Sequence, residues 1–344
     1  MLCGEKANPL KAIHSWREAD LVVSNLESPI TSAPRVAPSK CTLRGSQNAR
    51  KLFDSHQIRV LSIANNHMMD FGPTGLTDTC HYLDECGVKY CGGGANLVEA
   101  TRPLVIERCQ QRIGFLSYCD VEQKSPLYAD KDQAGVAAWD RESSLAQICK
   151  LRSVVDRLIV MLHWGVEMSC LPSVEQRKLA RCIISAGADV ILGSHPHVLQ
   201  PIEEINGKVV AYSLGNFLFS PMYWRGVNAM GENFCSKLRL PRLSRRTGWL
   251  QIDFEPKGLI RWVLHPARLT HSLSISPGWR RGWKKEWEDL NRALHSSGYE
   301  TASEMETNRG HQRTRSRWNG SSIHRRVEVK LYQFGIIPGT DDSL

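Results

Sequence analysis

The sequence predicts an α/β fold, and two regularities in the first two-thirds of the chain indicate it. Short runs of β-branched and apolar residues alternate with segments of helical spacing, the order typical of α/β proteins. Several of the apolar runs end in residues that can bind metals or transfer protons. Of the 344 residues, 42% are hydrophobic and 23% are charged, so the chain can bury a substantial core.

The predicted elements follow one another along the chain, and Gly87 and Gly187 are expected to end the two helices. The order is a strand in 19–27, a strand and polar loop in 58–72, a helix in 72–88, strands in 112–120 and 158–167, a helix and strand in 173–197, a strand and loop in 208–220, and two strands around a turn in 249–267.

Composition predicts a protein of a reducing compartment. The eleven cysteines are scattered without a C-x-x-C pair, so we expect reduced thiols rather than a disulfide framework. Residues 1–20 are too polar for a signal peptide. No run approaches the roughly 18 apolar residues of a membrane span. The chain as written is therefore expected to be cytoplasmic, with membrane association or export expected if sequence upstream of Met1 is missing.

The net charge of +9 comes from 44 basic and 35 acidic residues, and the basic excess lies late, in 279–285 and 309–318. Such segments are either a footprint for an anionic polymer or a solvated, partly disordered tail, and the second interpretation is favoured. No aromatic-interleaved RNA-binding motif occurs, so nucleic acid is not an expected partner. Trp279, Trp283 and Trp287 recur every four residues, a spacing typical of a docking face.

Four predicted strands end in a group suited to metal binding or proton transfer. These groups are Glu27, the Asn66-His67 pair, His163, and His195 with His197. The carboxyl ends of strands in an open α/β sheet meet at one edge, and histidine is the commonest protein ligand of transition metals. The pattern therefore predicts one shared site, although a His-Pro-His segment alone is equally compatible with a surface turn.

Five segments in this order resemble one family: NLESPIT, ANNHMMDFG, LHWGVE, GSHPHVLQ and YSLGNFLF. Together they resemble the bacterial poly-γ-glutamate capsule-synthesis proteins, the CapA family, which is similar in fold to calcineurin-like metallophosphoesterases. The resemblance implies a four-layer α/β/β/α sandwich in residues 1–270. Residues 271–344 carry no part of it and are predicted to be a basic, partly disordered C-terminal extension.

The resemblance also implies a site for two divalent ions. Its implied metal ligands are the strand-end residues Glu27, Asn66, His163, His195 and His197. His67 is implied as the catalytic proton donor, and Asn216 as a residue that supports the ligands by hydrogen bonds. Mixed imidazole, carboxylate and carboxamide donors suit manganese, iron or zinc better than calcium.

The chain departs from the family at its start. The family begins with a Gly-Asp after its first strand, and that aspartate is a metal ligand, whereas this chain opens with MLCGE. We therefore expect the first strand to be absent, the second metal site to be doubtful, and any hydrolase activity to be weakened.

Two functions are predicted. The first is a CapA-like metal-dependent hydrolase of a phosphoester or a γ-glutamyl amide bond, associated with capsule or poly-γ-glutamate synthesis. The alternative is a non-catalytic accessory protein that binds an acidic polymer during its synthesis or export. The expected partners are an acidic polymer or a phosphorylated small molecule, with other capsule-synthesis proteins as further candidates.

Overall fold

A computed structural model describes residues 9–13, 16, 18–34, 36, 42–56, 58–121, 127–219, 222–227, 233–238, 240–255, 258, 260–270, 274–319 and 330–333. The predicted loss of a first strand concerns residues ahead of these ranges and therefore lies outside the described residues. The same is true of much of the predicted tail after residue 319.

The strands, in chain order, are β1 (Val22–Asn25), β2 (Ile58–Ser62), β3 (Lys89–Cys91), β4 (Gly93–Gly94), β5 (Leu104–Arg108), β6 (Gln111–Asp120), β7 (Gly135–Val136), β8 (Arg157–Trp164), β9 (Val190–Ser194), β10 (Ile202–Ile205), β11 (Lys208–Ala211), β12 (Met222–Val227), β13 (Asn233–Leu238), β14 (Arg246–Phe254), β15 (Ile260–Leu269), β16 (Ile275–Pro277) and β17 (Lys330–Gln333). The helices are α1 (Ala49–His56), α2 (Gly72–Glu85), α3 (Leu97–Ala100), α4 (Arg141–Arg152), α5 (Val174–Ser185), α6 (Trp283–Ala293) and α7 (Tyr299–Asn319).

A six-stranded sheet in the order β10-β11-β9-β8-β6-β5 forms the centre of the molecule. Its inner strands β6, β8, β9 and β11 run parallel, while β5 and β10 are antiparallel edges. Every residue of β8 is buried, as expected for a parallel strand covered on both faces. The register places His163 opposite Ser194, so the carboxyl ends of β8 and β9 are level.

A smaller parallel sheet, β1-β2-β3, lies beside the large one. Asn25 pairs with Ser62 at the carboxyl ends of β1 and β2. A hydrogen bond of 2.6 Å between the hydroxyls of Ser62 and Ser117 connects β2 to β6 of the large sheet. The carboxyl ends of the two sheets are therefore brought near each other.

Helices cover one face of the large sheet, and a further antiparallel sheet covers the other. On one face, Val160 and Leu162 of β8 pack with Ile183 of α5 in one apolar core, and α2 covers the small sheet through Leu76 and Leu83. On the other face, the antiparallel sheet β14-β15-β16 packs its apolar side chains against the large sheet. The predicted α/β class, with sheets packed on each other and helices outside, is confirmed.

The predicted helix ends are also confirmed. Gly87 (φ 66°) follows α2, and Gly187 (φ 117°) follows α5, both in the left-handed region that favours glycine. Ser173 and Gln176 form a reciprocal capping box at the start of α5.

The segment after residue 270 makes ordered contacts where it is described. β16 pairs with β15, and Trp283, at the start of α6, is buried. The Trp279 ring packs 4.9 Å from Trp283 and 5.5 Å from Trp287, although α6 begins only at Trp283. The boundary at 270 between two domains stays a prediction. No described helix combines the length and apolar composition required to cross a bilayer.

Candidate functional site

The predicted site residues converge on the edge formed by the carboxyl ends of β1, β2, β8 and β9. Glu27 lies two residues after β1, His163 is the penultimate residue of β8, and His195 directly follows β9. Asn66 and His67 lie in the loop after β2. Residues that follow separate strands in the sequence therefore lie at the same edge of the folded protein.

His163 links the two sheets. Its Nε2 lies 2.9 Å from Oδ1 of Asn66, and its Nδ1 lies 2.9 Å from the hydroxyl of Ser194. The ring centroids of His163 and His195 are 4.9 Å apart. His163 is 1% exposed, so these polar contacts hold the ring in one orientation within a dry environment.

The His-Pro-His turn has a constrained backbone. His195 (φ 97°) and His197 (φ 58°) both adopt left-handed conformations that are uncommon for residues other than glycine. Strain of this kind persists where surrounding contacts impose it, and it concentrates at functional sites. Gly193, just before the turn, is required because a Cβ there would collide with the carbonyl oxygen of Tyr212 and lie 2.5 Å from Nε1 of Trp164.

His197 is held between an amide and a carboxylate. Its Nδ1 lies 2.8 Å from Oδ1 of Asn216, and its Nε2 lies 3.6 Å from Oε1 of Glu27. Asn216 in turn donates through Nδ2 to the carbonyl of Ser244, at 3.1 Å. The structure thus places Asn216 in hydrogen-bond contact with His197.

His67 is paired with an acid that the sequence reasoning missed. Its Nδ1 lies 2.8 Å from Oδ2 of Asp70, which also accepts the backbone N–H of Leu43 at 2.7 Å. Asn65 caps the loop by accepting the N–H groups of His67 and Met68. The sequence feature that could have revealed this pair is the aspartate three residues after the histidine in HMMD. That spacing places both side chains on one face of a turn.

Burial sets the protonation of the central imidazole. It lowers the pKa of His195 to about 4, and the nearby His197 acts in the same direction, against the attraction of Glu167. His195 is therefore neutral near pH 7, which is the form in which imidazole binds metals.

The site residues carry donor atoms that suit a metal cation, but their side chains are not gathered tightly around one point. Within the described residues, no three His, Cys, Asp or Glu side chains lie close enough together to hold a metal ion. Two buried atoms of the site, Oε1 of Glu27 and Nδ1 of His195, have no hydrogen-bond partner in the part of the chain that the structure describes. Buried polar atoms are normally satisfied, so the carboxylate oxygen of Glu27, which lies 3.6 Å from Nε2 of His197, and the Nδ1 of His195 are both available to a cation.

Comparisons with known proteins show the family to which the chain belongs. A family model described as bacterial capsule synthesis protein PGA_cap matches residues 7–221. The PGA biosynthesis protein CapA of Bacillus subtilis (strain 168) is 35% identical over 213 residues, which are 61% of this chain and 56% of that protein. The capsule biosynthesis protein CapA of Bacillus anthracis is 31% identical over 217 residues, 61% of this chain and 53% of that protein.

A third relative carries a different description. A probable polyglutamine synthesis accessory protein of Mycobacterium tuberculosis is 30% identical over 233 residues, which are 64% of this chain and 60% of that protein. The chain thus spans a little over half the length of the curated relatives it matches. Among solved structures, a putative 5'-nucleotidase from Staphylococcus aureus aligns with a TM-score of 0.42 at 11% identity over 80% of this chain and 58% of that one, a similarity too low to support an argument.

The matched family region includes every predicted site residue, from Glu27 to Asn216. Because that region covers more than half of the chain, the protein belongs to the PGA_cap family of bacterial capsule synthesis proteins.

Proposed function

We propose that this protein is a metal-dependent hydrolase that acts in the synthesis of a capsule or poly-γ-glutamate polymer. The names of its relatives support the biological setting. The bond we propose to be cleaved is a phosphoester or a γ-glutamyl amide, in an acidic polymer or a phosphorylated small molecule. Other capsule-synthesis proteins are proposed partners.

The observation that carries this proposal is the meeting of His195 and Glu27 at one edge, each with a buried atom that lacks a hydrogen-bond partner among the described residues. Divalent ions would be held by residues of the predicted set: Glu27, Asn66, His163, His195 and His197. Manganese, iron and zinc suit these donors. When bound, such an ion lowers the pKa of a water molecule and neutralises developing negative charge.

The chain's own residues would supply proton transfer and orientation. Asp70 holds His67 through Nδ1, which leaves Nε2 as the nitrogen able to give a proton to a leaving group. Asn216 fixes the orientation of His197 in the same way, through Nδ1. In His67 and His197, Nδ1 is therefore held by a supporting residue, and Nε2 is the nitrogen proposed to take part in the reaction or in metal binding.

Three observations favour a second function, an accessory protein that binds an acidic polymer without cleaving it. The net charge of +9 suits an anionic partner. The described residues also do not gather three acidic, imidazole or thiol ligands at one point. The name of the mycobacterial relative, an accessory protein, is compatible with this alternative.

Metal content is the first test of the site. We expect the wild-type protein, dialysed against Mn²⁺, to retain metal in elemental analysis, and His195→Ala to lose most of it. His311→Ala is the matched control, because His311 is exposed on α7. Equal metal in the two variants would refute the assignment of His195 as a ligand.

Activity separates the two functions. We expect Mn²⁺-loaded protein to hydrolyse either p-nitrophenyl phosphate or a γ-glutamyl p-nitroanilide, and His67→Ala to lose that activity while keeping its metal. Binding of poly-γ-glutamate without turnover of either substrate would favour the accessory protein instead.

A further inference from the structure

We propose that α7, which lies outside the region matched by the family model, positions the His195–His197 turn through an intervening loop. The site loop, residues 165–172, directly follows β8, the strand that carries His163. Glu306 and Arg313 on α7 are the positioning residues. The effect on metal binding rests on the proposed function, whereas the mechanical coupling can be tested without it.

The two peptide groups of Met168 connect helix and turn. Its N–H donates to the carbonyl of Pro196, at 2.8 Å, between the two histidines. Its own carbonyl accepts from Nη1 of Arg313, at 2.9 Å. Met168 has a φ of 62°, an uncommon conformation for this residue, so the loop requires external contacts to hold it in this shape.

Glu306 fixes both the loop and the arginine. Its Oε1 accepts the backbone N–H of Cys170 at 3.1 Å and is also bonded to Arg313. Glu306 is 6% exposed, so the charge is buried against its partners and the loss of any of them carries a large cost. The N-terminal turn of α7 contributes as well, since the hydroxyls of Tyr299 and Ser303 both donate to the carbonyl of Pro172.

The helix backbone itself rests on the site loop. A Cβ at Gly310 would lie 2.9 Å from the carbonyl oxygen of Glu167 and 3.0 Å from the backbone nitrogen of Ser169. Gly310 thus allows an approach that any larger residue would prevent. Glycine is costly within a helix, so its use at this buried contact is explained by the packing.

Further bonds reinforce the connection between the loop and the turn. The side-chain amide of Gln200 donates to the carbonyl of Ser169 at 2.9 Å. Met168 and Cys170 share one apolar cluster with Val198, the residue after His197. A displacement of the site loop would therefore be transmitted to both sides of the turn.

The test compares Gly310→Ala with Asn308→Ala in the 344-residue chain. Both substitutions raise the helix propensity of α7, but only the first introduces a methyl group against the loop, because Asn308 is exposed. Hydrogen exchange followed by mass spectrometry would report on peptides that span 165–172 and 193–198. We expect Gly310→Ala to accelerate exchange in both peptides and Asn308→Ala in neither.

The affinity for Mn²⁺ alone gives an independent readout, and free Mn²⁺ can be counted by electron paramagnetic resonance. We expect Gly310→Ala to weaken binding by about tenfold, the lower end of the effect of altering groups that orient ligands. Glu306→Gln keeps an acceptor for Cys170 N–H whereas Glu306→Ala does not, so the Gln variant should retain more affinity. Circular dichroism would show that each variant keeps its helices.

Faster exchange confined to 165–172 would overturn the proposal, because the loop would then move without the turn. Equal Mn²⁺ affinity in the Ala and Gln variants of Glu306, with wild-type exchange at 193–198, would overturn it too. If the wild type binds no Mn²⁺ but the exchange of both peptides rises in Gly310→Ala, the positioning role is supported and the metal-dependent function fails.

Discussion

The imidazole Nε2 of His163 lies 2.9 Å from Oδ1 of Asn66. This contact connects the carboxyl end of β8 in the large sheet to the loop after β2 in the small sheet. Both residues are almost fully buried. This bond fixes how the two groups of strand ends face each other, and with it the relative placement of the predicted ligands.

Asn66→Ala tests the strength of this link. Removal of one partner from a buried hydrogen bond typically costs about 1–3 kcal/mol, and we expect a loss of unfolding free energy in that range. Urea denaturation would measure it. Asn308→Ala, at an exposed position of α7, should change stability little. A loss no larger than that of the control would show that the bond does not stabilise the fold.

Asp70→Asn tests the pairing with His67. The amide keeps an oxygen that can accept from both Leu43 N–H and His67, but it removes the negative charge beside the imidazole. If the protein is a hydrolase, we expect kcat to fall by roughly 10² to 10⁴, the range for general acid–base catalysis, with metal content unchanged.

Asp132→Asn, a change at an exposed turn, is the control for that experiment. An Asp70→Asn variant with the wild-type rate would exclude a role for the His67–Asp70 pair in proton transfer.

Gly193→Ala tests the close approach before the His-Pro-His turn. The added methyl group would collide with the backbone of Tyr212 in a sheet interior that cannot relax easily, and we expect a loss of about 3 kcal/mol or more. Differential scanning calorimetry would show it as a lower Tm. Gly298→Ala meets open space and should leave the Tm nearly unchanged. Similar Tm values for the two variants would contradict the close packing of β9 against Tyr212.

Glu203→Gln tests a buried acid that supports the same region. Burial opposes ionisation of Glu203, but hydrogen bonds from Arg177 and Tyr212 outweigh it and hold the pKa below its usual range. The stabilisation from this carboxylate is therefore present above the ordinary glutamate pKa, near about 4.3, and disappears as the pH falls through the lowered folded value.

We expect the wild type to be more stable than Glu203→Gln at pH 7, with the difference shrinking in acid, as measured by urea denaturation at several pH values. Glu204→Gln alters the exposed neighbour on the same strand and should show no such convergence. A difference that does not depend on pH would mean that the charge of Glu203 contributes nothing.

Much of the site could be predicted from the local pattern of apolar and polar residues in the sequence. The apolar runs that end at Glu27, His163 and His195 were recognisable as strands, and the glycines at 87 and 187 marked the helix ends. Other contributors were not recognisable. Ser244 lies 28 residues from Asn216, and Arg313 lies 145 residues from Met168, so no local periodicity links them.

The order of the main strands along the chain, and the side chains that follow them, could be predicted from the local pattern of residues. Because parallel strands direct their carboxyl ends to a common edge, that pattern also predicted a shared site. Packing between distant segments set which of these side chains contact one another. It also set the pairing of His67 with Asp70 and the hydrogen bonds that connect α7, the site loop and Pro196. A hydrogen bond depends on the donor–acceptor distance to within a few tenths of an ångström and on the angle between the groups. Both are set by how separate sheets and helices pack.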